Sequence, residues 1–135
     1  EAALETQLPV WVGLSCKKNE NKKMCLLNGE LLENAVKSLK YTGVDLISIM
    51  HTDVGYVDDC LDILSCDWQG LKGVYAHSGR MIGSEWTFND VISKEQYSKF
   101  VSNWLKKGIN LVGGCCGITT EHMQYVSQEL FPIDN

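Results

Sequence analysis

The chain has 135 residues, of which 44% are hydrophobic, and its 12 Lys and Arg against 17 Asp and Glu give a net charge of −5. This composition excludes collagen-like, low-complexity and disordered proteins and is typical of a globular protein with one core. The order of strands and helices along the chain predicts a single α/β domain over residues 1–135. The acidic balance without a basic run argues against a nucleic-acid partner. No apolar stretch reaches the roughly 20 residues that span a bilayer, and no secretion signal opens the chain, so a cytoplasmic protein without a membrane partner is expected.

Apolar runs of strand length recur along the chain, and each is followed by turn residues and a helical pattern. The first predicted strand covers residues 9–15 and is apolar at successive positions, which is typical of a parallel strand buried on both faces. A polar loop over 17–23 separates it from a helix with an apolar stripe. The second predicted strand covers residues 46–50 and runs into His51, after which Thr52 or Asp53 can cap the next helix.

The same order of elements is repeated in the second half of the chain. A short strand over 71–76 ends at His77, and a long loop leads to a helix that Ser93 and Gln96 open as a capping box. The fourth predicted strand covers 109–112 and runs into Gly-Gly-Cys-Cys-Gly, after which Thr119 or Thr120 caps the last helix. Four consecutive β-α units with parallel strands predict either a small doubly wound sheet or half of an eight-stranded β/α barrel.

Chemically active residues cluster at the predicted carboxyl ends of the strands, where both architectures bind ligands. The most informative are Cys115 and Cys116, because the flanking glycines allow an irregular backbone that turns both sulfurs towards one point. Zinc is the metal expected at such a point, because thiolate and imidazole are its usual ligands, and His51 is the leading candidate for the third ligand. Core packing and a vicinal redox pair are the alternatives for the two cysteines. Cys60 and Cys66 are expected in the core and His122 on the surface.

The run Val-Gly-Gly-Cys-Cys-Gly-Ile-Thr-Thr-Glu-His over residues 112–122 resembles the signature of the homocysteine S-methyltransferase family. In that family a GGCCG run ends the eighth strand of a β/α barrel. The resemblance extends to residues 9–12, to Met50-His51-Thr52 and to residues 74–79, and so covers nearly the whole chain. It implies the second half, strands 5 to 8, of a TIM (β/α)8 barrel.

The family resemblance also implies a zinc ion held by two adjacent cysteines, which carry over to Cys115 and Cys116. The family's third ligand is a Cys after an Asn, but the matching dipeptide here is Met50-His51. We therefore expect His51 to replace it and to complete a Cys2His zinc site, with Cys16 as the reserve candidate. Two thiolates and a neutral imidazole make the zinc site neutral instead of −1, so a bound substrate thiolate should be a poorer nucleophile.

The resemblance implies zinc-dependent transfer of a methyl group from a small donor to the thiol of homocysteine, giving methionine. Cys115, Cys116 and His51 are then the catalytic and metal-binding residues, and Ser78 and Gly79 shape the substrate pocket. His77 replaces an Asn of the family and is expected to contact either substrate or backbone. Four strands cannot close a barrel, so the chain is expected to be a fragment or to be completed by a second copy or a partner chain. The alternative is a non-catalytic half-barrel that binds zinc or a thiol.

Overall fold

The computed structural model describes residues 2–83 and 85–132, and for Arg80–Ile82 and Trp86 it describes the backbone alone. Four α-helices follow one another along the chain as α1 (Leu32–Leu39), α2 (Val57–Asp67), α3 (Lys94–Lys106) and α4 (Thr120–Leu130). The strands are β1 (Trp11–Lys18), β2 (Met24–Leu26), β3 (Leu46–Asp53), β4 (Leu71–His77), β5 (Arg80–Ile82), β6 (Glu85–Thr87) and β7 (Leu111–Gly114). Each predicted β-α unit is therefore found, with strand boundaries displaced by up to three residues.

The main sheet has five strands in the order β2-β1-β3-β4-β7. Strands β1, β3, β4 and β7 are parallel, while β2 pairs antiparallel with the end of β1. The parallel strands lie side by side in chain order, without the reversal of order that defines a doubly wound sheet. The architecture is an α/β sheet compatible with part of a TIM-barrel-like fold, and it excludes the doubly wound arrangement for the described strands.

One face of the sheet packs against the helices. Alternate residues along the strands point to this face, and they join the apolar stripes of all four helices in a single core cluster. Leu14, Ile47, Ile49, Val74 and Ala76 are the buried strand residues at its centre. Trp104 and Tyr97 of α3 are the largest fully buried side chains of this core, and their rings meet edge to face at 5.8 Å.

The opposite face of the sheet carries no helix of the described chain. Trp11 is 57% exposed, and Met50 and Tyr75 are only half-buried. The prediction that the first strand is buried on both faces is therefore wrong for the described residues. The successive apolar residues of β1 do alternate between two faces, but the helices cover only one of them.

The predicted caps of α3 and α4 agree with the structure, whereas Asp53 caps a short 3-10 turn over Val54–Tyr56 and α2 begins only at Val57. Ser93 and Gln96 form the predicted capping box of α3, and Thr119 is the N-cap of α4. Two short features were not predicted, namely β2, which follows the 17–23 loop, and the β5–β6 hairpin within the long loop after β4. Strands of three residues are too short to produce a periodic apolar pattern, so periodicity cannot predict them. In the described part of the chain, no helix has the length and apolar character needed to cross a bilayer.

Candidate metal centre

The two adjacent cysteines lie in a tight turn at the carboxyl end of β7. The N–H of Cys115 donates to Ala76 O at 3.0 Å, and the N–H of Ile118 closes the turn on Cys115 O at 2.9 Å. Gly117 follows with φ 79°, and a Cβ there would overlap the carbonyl oxygen of Ser78. This backbone, which only glycine adopts without strain, places the Cys115 and Cys116 sulfurs 3.8 Å apart.

His51 reaches the sheet edge because β3 contains a bulge. Met50 pairs with Tyr75 and Thr52 pairs with Ala76, so His51 is an extra residue without a partner in β4. Its φ is 45°, in the left-handed region that non-glycine residues rarely occupy. In a regular strand His51 would share a face with Ile49 and point beneath the helices. Because of the bulge, the imidazole lies at the exposed carboxyl end of the sheet, and Thr52 occupies the buried position.

Thr52 fixes the bulge through its hydroxyl group. Thr52 is fully buried, and its Oγ1 accepts the N–H of Cys16 at 3.0 Å while it donates to Met50 O at 2.8 Å. One side chain thus joins the neighbouring strand β1 to the residue before the bulge. A buried hydroxyl with both bonds satisfied holds the backbone of His51 between two fixed residues.

His51 and Cys115 meet across the end of β4, although their strands are not neighbours. The Cys115 Sγ lies 3.0 Å from His51 Nδ1, within hydrogen-bond distance. Partial burial raises the pKa of the Cys115 thiol, and the nearby Cys116 side chain raises it further. Both effects favour the protonated thiol over the thiolate at Cys115 in the absence of a cation.

The donor set of these three side chains fits zinc. Two thiols and one imidazole are common zinc ligands, and tetrahedral Zn–S bonds of about 2.3 Å separate two sulfurs by about 3.8 Å. That is the separation of Cys115 Sγ and Cys116 Sγ. The His51–Cys115 contact is shorter than the roughly 3.5 Å between two such ligands, so the imidazole must move outwards by about half an ångström. Within residues 2–83 and 85–132, no three His, Cys, Asp or Glu side chains already surround a metal position.

The predicted substrate residues lie beside this cluster. Burial lowers the pKa of His77, and its imidazole hydrogen-bonds to the backbone of His51, the second of the two contacts expected for it. Ser78 is 5% exposed, and its N–H donates to Cys116 O while its Oγ accepts the N–H of Ile92, both at 2.9 Å. Gly79 lines a cavity of about 460 Å³ together with Ser78, Asp53 and Asp90. Ser78 therefore supports the cysteine turn as well as bordering the cavity.

Three of the expectations for cysteine and histidine residues are wrong. Cys16 is 4% exposed and hydrogen-bonds to Cys60 under α2, so it faces the helices and lies apart from Cys115 and Cys116. Cys66 is exposed, whereas it was expected in the core. His122 is 8% exposed and not a surface residue. The Thr-x-x-His spacing of Thr119 and His122, which matches a capping box, was the signal that could have placed His122.

Comparison with known proteins agrees with the resemblance read from the cysteine motif. The homocysteine S-methyltransferase family model matches residues 1–130. Homocysteine S-methyltransferase 1 of Brassica oleracea var. italica is 23% identical over 128 residues, which are 92% of this chain and 38% of that protein. Selenocysteine methyltransferase of Astragalus bisulcatus is 25% identical over 117 residues, 84% of this chain and 33% of that protein.

The chain thus spans about a third of the length of these curated relatives. The family model nevertheless covers all four parallel strands and the turn that carries Cys115 and Cys116. The chain belongs to the homocysteine S-methyltransferase family.

Proposed function

We propose that this chain takes part in zinc-dependent transfer of a methyl group from a small donor to the thiol of homocysteine, which gives methionine. The observation that carries the proposal is the convergence of Cys115, Cys116 and His51 at the carboxyl edge of the sheet. These three side chains are zinc ligands by type, and they come together only because a glycine turn and a bulge bring two non-adjacent strands to one point. Family membership supports the acceptor and the reaction.

Zinc, when bound by these residues, would supply the Lewis acidity that keeps a thiol ionised at neutral pH. Cys116 and His51 are exposed at the carboxyl end of the sheet, so an incoming substrate can reach the site. In the transfer, the acceptor sulfur forms a bond to the methyl carbon as the bond from that carbon to the donor breaks. The acceptor thiol has released its proton to solvent on ionisation, and a cationic donor leaves with one methyl group and one positive charge fewer.

The neighbouring cavity suggests which donors fit. Asp53 and Asp90 contribute carboxylates to its lining, next to Ser78 and Gly79. Carboxylates favour a cation through Coulomb attraction, and a methyl group is activated when it sits on a positively charged sulfur or nitrogen. We therefore propose a sulfonium or quaternary ammonium compound as the methyl donor.

The uncovered face of the sheet belongs to the same proposal. Trp11 is exposed on this face, and the row of parallel strands ends at β1 and β7, with only the last three residues of β1 paired to β2. Because the relatives are about three times as long as this chain, we propose that further β-α units of a longer polypeptide cover the face. The competing arrangement is a dimer in which a second copy of the chain covers this face. Light scattering on the purified chain would detect such a dimer by its mass.

The second candidate function is a zinc- or thiol-binding half-barrel without catalysis. The observation that favours it is that Cys115, Cys116 and His51 come together within the described residues, without a contribution from any other chain. A module of this kind would hold the metal through Cys115, Cys116 and His51 and would lack the remaining substrate contacts.

Zinc content by elemental analysis tests the proposal in the parent chain and in His51→Ala and Cys115→Ala. About one zinc per chain, lost in both variants, is expected. Cys66→Ala is the matched control, because it removes an exposed thiol outside the site. A folded parent chain without zinc would overturn the proposed metal centre.

Methylation of homocysteine with S-methylmethionine as the donor then separates the two candidate functions. Methionine formation that requires zinc and is lost in Cys115→Ala supports the transferase. Stoichiometric zinc without methionine formation favours the binding module.

A further inference from the structure

His122 lies in the first turn of α4 and has both ring nitrogens hydrogen-bonded. Its Nδ1 accepts the N–H of Thr119 at 3.1 Å and lies 2.9 Å from the Thr119 hydroxyl oxygen. Because Nδ1 is an acceptor, the proton of the neutral ring is on Nε2, which donates to Ile92 O at 2.8 Å. Helix capping accounts for the first nitrogen only. The second reaches a loop 30 residues earlier in the chain.

The bond to Ile92 continues towards the cysteine turn. The N–H of Ile92 donates to Ser78 Oγ at 2.9 Å, and the N–H of Ser78 donates to Cys116 O at 2.9 Å. His122 and Ser78 are 8% and 5% exposed, so water competes little for these bonds. The ring of Tyr97 packs edge to face on His122 at 6.0 Å, and the Tyr97 hydroxyl donates to Gly113 O at the other end of the turn.

We propose that His122 is a positioning residue for Cys116. Its Nε2–H holds the Ile92 segment, which fixes Ser78, and Ser78 in turn holds the carbonyl group of the cysteine turn. The importance of this role for zinc rests on the proposed function, in which Cys116 is a ligand. The hydrogen-bonded chain itself exists independently of any metal, so it can be tested without one.

Two variants separate the positioning role of His122 from its capping role. The amide of His122→Gln lies near the place of Nε2 and can still donate to Ile92 O. The amide of His122→Asn lies near the place of Nδ1, so it can keep the cap but does not reach Ile92. Glu121→Asn is the matched control for the lower helix propensity of Asn, since Glu121 is an exposed neighbour in the same turn.

The first measurement is amide hydrogen exchange at Ser78 in the metal-free chain, where the Ser78 N–H is bonded to Cys116 O. Exchange should be faster in His122→Asn than in the parent, and close to the parent rate in His122→Gln and Glu121→Asn. Equal exchange in the Asn and Gln variants would overturn the proposal, because it would leave only the capping role.

The second measurement is the zinc dissociation constant from competition with a chromophoric chelator. His122→Asn should weaken zinc binding about 10-fold, as loss of a supporting contact around a metal ligand usually does, and His122→Gln should stay near the parent. Ser78→Ala interrupts the same chain of hydrogen bonds. The double variant with His122→Asn should therefore lose less zinc-binding free energy than the two single variants lose together. Additive losses would overturn the proposal. A parent that binds no zinc would refute the proposed function, while Ser78 exchange would still decide the role of His122.

Discussion

The two strand ends that form the site are held in opposite ways. The end of β7 is a turn in which glycine occupies the left-handed position, and the Cys115 N–H and Cys116 O are bonded to neighbouring segments. The end of β3 is a bulge in which a histidine occupies the left-handed region and one threonine hydroxyl fixes the backbone. The cysteine turn is therefore relaxed, whereas the bulge at His51 holds a conformation that costs about 1–3 kcal/mol.

This difference shows how a sheet can bring ligands from non-adjacent strands to one point. The turn at β7 fixes the two sulfurs, and Thr52 fixes the backbone of His51. Since the imidazole must shift outwards to share a metal with Cys115, the His51 side chain is the part of the site that adjusts. Variants at each strand end can confirm or refute this division.

Gly117→Ala should have the largest effect. The new Cβ would overlap the Ser78 carbonyl oxygen, and the alanine would have to adopt φ 79°. The unfolding free energy should therefore fall by about 3 kcal/mol. Urea unfolding measures it. Gly29→Ala is the control, because Gly29 has φ 95° with open space around it, and it should lose only about 1 kcal/mol. Equal losses at the two glycines would mean that contact with Ser78 does not constrain the turn.

Thr52→Val should come next, with a loss of about 2 kcal/mol, because it leaves the buried Cys16 N–H without an acceptor. Zinc affinity should fall with it, since the bulge at His51 is no longer fixed. Thr42→Val is the control at an exposed hydroxyl and should change stability by less than about 0.5 kcal/mol. Unchanged zinc affinity in a destabilised Thr52→Val chain would show that Thr52 does not set the position of His51.

Tyr97→Phe removes the 2.7 Å hydrogen bond to Gly113 O but keeps the ring in the core. The expected loss is about 1 kcal/mol in thermal or urea unfolding. Tyr41→Phe, at a side chain that is 89% exposed, should leave stability unchanged. A Tyr97→Phe chain as stable as the parent would indicate that the cysteine turn is held without α3.

The last prediction concerns the difference in stability between His51→Gly and His51→Ala. At φ 45° glycine is unstrained and alanine is not, so the glycine variant should be the more stable by about 1 kcal/mol, and neither should retain zinc at parent affinity. In an ordinary strand the order would be reversed, because glycine weakens strands. A more stable alanine variant would therefore contradict the bulge.

The order of the four β-α units could be read from the sequence because each unit has its own apolar pattern and cap. The capping box at Ser93 and the apolar stripe of α1 depend only on neighbouring residues, and both predictions are confirmed. The glycines around Cys115 and Cys116 likewise indicate an irregular backbone, which the turn at β7 confirms. Local chemistry of this kind is visible without knowledge of the fold.

The other half of the site could not be predicted for equally physical reasons. His51 was correctly placed near the end of its strand, but a one-residue bulge leaves no trace in an apolar pattern, and the bulge decides which way the imidazole points. The burial of His122 depends on a loop bond to Ile92, which is distant in sequence. The side chains of β1 alternate between the two faces of the sheet, and Cys16 lies on the face that the helices cover, away from the proposed metal ligands. The apolar pattern of β1 does not show which of its faces the helices cover.

The position of β7 at the end of the sheet has a further consequence. Its four residues pair with β4 alone, so detachment of this strand costs less than loss of any interior strand. Cys115 and Cys116 lie in the turn directly after that strand, and His51 lies on β3, two strands further in. An ion held by all three would tie the outermost strand to the interior of the sheet, and at 100 times its dissociation constant it would oppose detachment by about 2.7 kcal/mol. Metal release and peeling of the edge strand would then be one event, and each would report on the other.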